Sequence, residues 1–194
     1  FAMRSGRKIS LMQRSTMQES ISAPQVGGIV KLTGFILKTS LIIEMIGAAL
    51  LAPVFCNDLG IAKGLWYSLF HSISAFCNAG FDLFGIKEPF SSLTFYHSNI
   101  YLNIVIILLI ITGGIGFLVW GDIGTHKYRI RRFSLQSKVV LMTSAVLIVL
   151  PALYFFFYEY NRETIHDRTI HSLFQSVTTR TAGFNTTDLA AMDE

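Results

Sequence analysis

Three apolar runs decide what this chain can become: "ILKTSLIIEMIGAALLAPVF" (36–55), "NIYLNIVIILLIITGGIGFLVW" (99–120) and "VVLMTSAVLIVLPALYFFFY" (139–158). Each is close to the roughly 20 apolar residues that a helix needs to cross the hydrocarbon core of a bilayer. Hydrocarbon offers no hydrogen bonds, so the backbone of such a run must satisfy itself, and a helix does so within one segment. Composition agrees, because only 14% of the 194 residues are charged, against about a quarter in an ordinary soluble domain. The expected fold class is an all-α membrane protein.

The basic residues give an orientation. Arg4, Arg7, Lys8, Arg14 and Lys31 precede the first run, while Lys127, Arg129, Arg131, Arg132 and Lys138 fill the gap between the second and third. The positive-inside rule makes both segments cytoplasmic and puts the connections around 56–98 and after 158 outside. The net charge of +4 is then topology, and no nucleic-acid partner is expected. The start, "FAMRSGRKISLMQRS", lacks the apolar core and cleavage site of a signal peptide, and the chain reads as a piece of a longer polypeptide. Cys56 and Cys77 support no disulfide framework and are expected as free, buried thiols.

The outer connections carry the functional signal. "GLWYSLFHSISAFC" (64–77) and "TIHSLFQSVTTR" (169–180) are helical in period but too short to span. Ser-Leu-Phe-His-Ser-Ile-Ser in the first matches Ser-Leu-Phe-Gln-Ser-Val-Thr in the second, and both lead to Ala-Gly-Phe, at 79–81 and 182–184. The second copy is shorter by one residue between these motifs. The repeating unit is therefore span, short re-entrant helix, Gly-containing turn, span. The first copy is complete over 32–120; 121–138 is a linker, and 139–194 supplies a second copy without its closing span. Irregular backbone at membrane depth is tolerated only where it is buried or lines a watery cavity, so several copies are expected to surround one pathway.

A half-length helix entering from outside brings the negative end of its dipole toward the membrane centre. If the chain then returns extended, its carbonyl oxygens can replace the water around a dehydrated cation. Glycine suits such a turn because it adopts dihedrals closed to residues with a Cβ. Gly80 and Gly183 are the expected centres of two filter loops, with Asn78, Ala79, Phe81, Thr181, Ala182 and Phe184 as neighbours. The plainer alternative is two loops that re-enter only to pack.

These segments, together with "TGGIGF" (112–117) and the linker-like "GRKISLMQRSTMQES" (6–20), resemble the second and third pore regions of the Trk/Ktr/HKT superfamily of potassium transporters, most closely the pore subunit of its bacterial Ktr branch. The resemblance implies a K+-channel-like fold of four membrane–pore–membrane repeats. Residues 1–31 would be the cytoplasmic linker after repeat one, followed by all of repeat two and half of repeat three. It also implies a homodimer of pore subunits in the bacterial plasma membrane, resting on a cytosolic nucleotide-binding regulatory ring. No cofactor is implied beyond the transported ion, potassium alone or with sodium. The superfamily carries an arginine before this filter, which makes Arg180 a brace behind it, with Asp82, Asp188 or filter-region carbonyls as partners.

Other residues carry weaker signals. Asp58, Asp82, Glu88, Glu159, Glu163, Asp167 and Asp188 fall on the outer side, where acidic groups concentrate cations at a pore mouth. Glu44, within the first run, is expected to face the protein interior and bond another helix. Gly113, Gly114 and Gly116 indicate close helix packing or a bend; they follow no strand and form no phosphate-binding fingerprint. His166 and His171 lack a third partner for a metal. Two other classes compete with a potassium-uptake pore: a membrane-embedded enzyme using His71, His171 or Cys77, and a helical scaffold. The first lacks a nucleophile–base arrangement, and neither explains the repeated Ala-Gly-Phe, so no enzyme activity is expected.

Overall fold

A computed structural model describes residues 12, 15–16, 18–19, 29–86, 91–127, 129–161 and 164–187. Among them the regular structure is entirely helical. Helix α1 runs Ile29–Leu59, α2 Ile61–Phe76, α3 Ile100–Gly114, α4 Phe117–His126, α5 Leu135–Tyr154 and α6 Ile165–Val177. A π-helical turn, Phe155–Glu159, extends α5, and another, Thr178–Ala182, ends α6. The chain divides into residues 1–42 and 43–194. In the first unit the Thr16 hydroxyl donates to the Met12 carbonyl at 3.1 Å. The second holds α2 to α6 and both Gly-containing loops.

Two segments, Val30–Leu59 and Leu135–Glu159, are long and apolar enough to cross a membrane. The third expected span, 99–120, is not straight: α3 and α4 meet at 93°. The break falls in Gly113-Gly114-Ile115-Gly116, where three of four residues lack the side chains that stiffen a helix. An unbroken helix would satisfy the Thr112 carbonyl with the Gly116 N–H. At the break it accepts instead from the Trp120 indole, Nε1 to O 3.1 Å, so the bend leaves that acceptor satisfied. Beyond it, the Asp122 carboxylate accepts from the Ser134 N–H at 3.0 Å, the Ser134 hydroxyl at 2.7 Å and the Ser137 hydroxyl at 2.5 Å. The carboxylate thereby ties α4 to the first turn of α5.

The half-length helices are present as expected. At 16 and 13 residues, α2 and α6 are about 24 and 20 Å long, short of a hydrocarbon core of roughly 30 Å. On α2 the buried residues Gly64, Ser68, His71, Ser72 and Ala75 recur at the spacing of one helix face. Helix α3 packs against both α2 and α6 and buries Leu102, Val105, Ile106, Leu109 and Ile110. Phe55, Phe84 and Tyr96 meet pairwise with ring centroids 5.3–5.6 Å apart, within the range of favourable aromatic contact. His71 lies against Phe84 at 4.9 Å.

The repeat read from the sequence is also a repeat of bonds. Ser72 on α2 donates to the Glu44 carbonyl on α1 at 2.7 Å. Ser176 on α6 donates to the Ile148 carbonyl on α5 at 2.5 Å. Each pair is 28 residues apart, so each short helix is moored to the span before it by the same hydroxyl. At Glu44 the main-chain carbonyl makes this bond, whereas the sequence pointed to the carboxylate. Interhelical bonds of this kind are worth about 0.6–1.7 kcal/mol in membrane proteins. In the full-length protein, Ser72→Ala and Ser176→Ala are expected each to lower thermal stability in detergent by that amount. The double variant should lose the sum, because the sites share no partner. Unchanged melting of both single variants would mean that the bonds do not hold the helices.

Candidate functional site

Both short helices end in a loop held by one device. At the end of α2 the Ser74 hydroxyl reaches over the turn to the Phe81 carbonyl at 2.7 Å. At the end of α6 the Thr178 hydroxyl reaches the Phe184 carbonyl, also at 2.7 Å. Within each loop the backbone turns left-handed at glycine, with φ +69° at Gly80 and +79° at Gly183. The hydroxyls at 74 and 178 were not singled out from the sequence. Their signal was there, since both copies place a hydroxyl at the seventh position of the matched Ser-Leu-Phe motif.

Main-chain carbonyls are obligatory acceptors, so those left bare define the chemistry of the loops. Phe81 and Phe184 turn their carbonyls to the tethering hydroxyls and serve as fastenings. Among the described residues nothing donates to the carbonyls of Ala79, Gly80 or Gly183. These oxygens, next to the negative end of a helix, can engage a cation.

The two loops lie side by side. The Thr181 hydroxyl donates to Asn78 Oδ1 at 2.6 Å, across 103 residues of sequence. Gly80 lies so close to the Ala182 carbonyl that a Cβ would collide with it, whereas a Cβ at Gly183 would meet open space. Gly80 is therefore fixed by contact as well as by dihedral, and Gly183 by dihedral alone. The outer connection of the first copy grips the chain leaving the second loop: Leu93 N–H donates to the Asn185 carbonyl at 2.8 Å, and Asn185 N–H donates to Ser92 Oγ at 3.1 Å. Phe184 is fully buried, its ring 6.4 Å from that of His71 on the other copy's short helix. Its counterpart Phe81 is 70% exposed.

Arg180 has a partner that the sequence did not offer. Arg180 Nη2 donates to the Ser144 hydroxyl on α5 at 2.8 Å, and Asp82 instead accepts from the Phe84 N–H at 2.9 Å, Oδ1 to N. Arg180 belongs to the π-turn at the end of α6, and α6 packs on α5, which brings Ser144 within reach. Asp188, Glu88 and Glu163 lie outside the described residues. His171 Nε2 lies 3.2 Å from the His97 carbonyl. Cys56 and Cys77 are free, but Cys56 is half-buried and Cys77 exposed, where burial was expected for both; the end of α2 leaves Cys77 uncovered.

Sequence comparison relates the chain to known proteins. The model of the TrkH family, described as a cation transport protein, matches residues 3–194. The potassium/sodium uptake protein NtpJ of Enterococcus hirae is 40% identical over 191 residues, covering 96% of this chain and 41% of that protein. The Ktr system potassium uptake protein B of Bacillus subtilis is 38% identical, over 97% of this chain and 42% of its own length. The protein of the same name from Vibrio alginolyticus is 31% identical over 95% and 41%. The chain thus spans about two fifths of these relatives.

Proposed function

Because the chain belongs to the TrkH family of cation transport proteins, we propose that it forms part of the pore of a potassium-uptake transporter, with its two Gly-centred loops as two segments of the selectivity filter. One observation carries the reading: two matched short helices end in adjacent left-handed turns whose carbonyls at Ala79, Gly80 and Gly183 have no donor among the described residues. A dehydrated cation supplies what those oxygens lack. Asn78, Ala79 and Gly80 on one loop and Thr181, Ala182 and Gly183 on the other form the segments, while Phe81 and Phe184 anchor them. Arg180, bonded to Ser144, braces the second loop from the side of α5. The names of the relatives, uptake proteins for potassium or for potassium and sodium, support an alkali-metal cation as the cargo.

The environments of the two phenylalanines support a ring of repeats. Phe184 is covered by the short helix of the other copy. By the same relation Phe81, exposed here, would be covered by a further copy. In this account the exposed segment with Lys127, Arg129, Arg131 and Arg132 faces the cytoplasm and docks a regulatory ring, and the pore subunit pairs as a homodimer. Charge reversal at Arg131 and Arg132 in the complete transporter should weaken co-purification of the ring without reducing membrane insertion. Unchanged assembly would leave these residues with orientation alone.

The filter assignment is tested at its glycines. In the complete transporter, Gly80→Ser and Gly183→Ser each force a side chain onto positive φ, at a cost of about 1–3 kcal/mol, and alter the spacing of the carbonyls. Each variant is expected to raise the apparent KM for potassium and to shift preference toward sodium by roughly tenfold, on the scale of that strain. Gly80→Ser should be the more severe, because it also strikes the Ala182 carbonyl. Cells lacking other potassium uptake report both quantities. Wild-type affinity and preference in both variants, at equal membrane levels, would mean that these loops are not the filter.

A further inference from the structure

We infer that the side chains of Asn78 and Thr181 form a clamp between the two loops that helps set cation preference; this rests on the assignment of those loops as filter segments. Asn78 falls in the stretch by which the first loop exceeds the second, and it sits at φ +54°. Asparagine tolerates that region better than most residues with a Cβ. Its amide is used at both ends. Nδ2 donates to the Phe76 carbonyl at the end of α2, at 3.2 Å, and Oδ1 accepts from Thr181 at 2.6 Å. Helix α3 leaves room for it, since the Asn78 amide lies against Gly113 and Gly114.

Thr181, like Thr178, does not bond back into its own helix. Thr169 and Thr179 return their hydroxyls to carbonyls four residues back, at Ile165 and Gln175, each at 2.7 Å. Thr181 sends its hydroxyl to the other copy instead. It is exposed, so the bond holds where water competes for both groups. The clamp joins two residues on the inner flank of each glycine, and beyond it Gly80 already touches the Ala182 carbonyl. The separation of the bare oxygens of the two loops therefore depends on this side-chain bond and this backbone contact, beside the bonds that hold Asn185 to Ser92 and Leu93 farther along the chain. Potassium and sodium differ in how closely oxygens approach them, so a change in that separation changes their ratio. Asn78 and Thr181 act in this respect through the carbonyls, as positioning residues.

The test uses the complete transporter in cells lacking other potassium uptake, with membrane levels matched. Thr181→Val keeps the shape and removes the donor; Asn78→Ala removes the acceptor. Each should lower the potassium-over-sodium preference roughly two- to tenfold, the range expected for one hydrogen bond. The double variant should be no worse than the single ones, and Thr181→Ser, which restores the hydroxyl, should recover the preference to within about twofold. Gly80→Ser serves as the reference for the filter itself. If Gly80→Ser shifts the preference and neither clamp variant does, the clamp is wrong and the filter assignment stands. If Thr181→Ser and Thr181→Val shift it equally, the hydroxyl bond is not the determinant. If Gly80→Ser and Gly183→Ser both leave the preference unchanged, the filter assignment falls and the clamp with it. Should Thr181→Val fail to reach the membrane, the comparison of Asn78→Ala with Gly80→Ser decides in the same way.

Discussion

A main-chain carbonyl taken out of water without a donor costs a few kcal/mol, and hydrocarbon offers no replacement. That constraint governs the rest of this structure. It makes the apolar runs helical, and it requires a substitute acceptor or donor wherever a helix is broken. The bend between α3 and α4 meets it with the Trp120 indole. The loops after α2 and α6 meet it only in part, because hydroxyls satisfy Phe81 and Phe184, while the oxygens at Ala79, Gly80 and Gly183 have no donor among the described residues.

Hydroxyl groups do most of the holding. Ser72 and Ser176 moor the short helices, Ser74 and Thr178 close the loops, and Ser144 receives Arg180. Small hydroxyl residues suit this role because they let helices approach closely and still donate to a backbone carbonyl. In each copy the closing hydroxyl follows the mooring serine by two residues in sequence.

Much of this was legible in the sequence. The length of the apolar runs gave the fold class, the shortness of 64–77 and 169–180 gave the half-length helices, and Ala-Gly-Phe located both left-handed glycines. What was not legible depended on distance in sequence. The bond between Asn78 and Thr181 joins residues 103 apart, and no local pattern records which side of a turn faces another. The bond from Arg180 to Ser144 was not read in advance for a related reason. The acidic candidates were chosen by charge, but the π-turn at Thr178–Ala182 brings the side chain to an uncharged serine on the preceding span. The glycines at 113, 114 and 116 announced close packing or a bend; the structure has both, with Gly113 against the Phe76 carbonyl and a 93° turn beyond it.

If the bare oxygens of the two loops face a common cation, that ion has a definite position between them. Thallium(I) resembles potassium in charge and size and scatters X-rays anomalously, so crystals of the complete transporter grown with it report the ion's position directly. Anomalous density is expected between the carbonyls of Ala79 and Gly80 on one side and Gly183 on the other, reduced by Gly80→Ser. Thallium density elsewhere in the protein, with none between these loops, would contradict it.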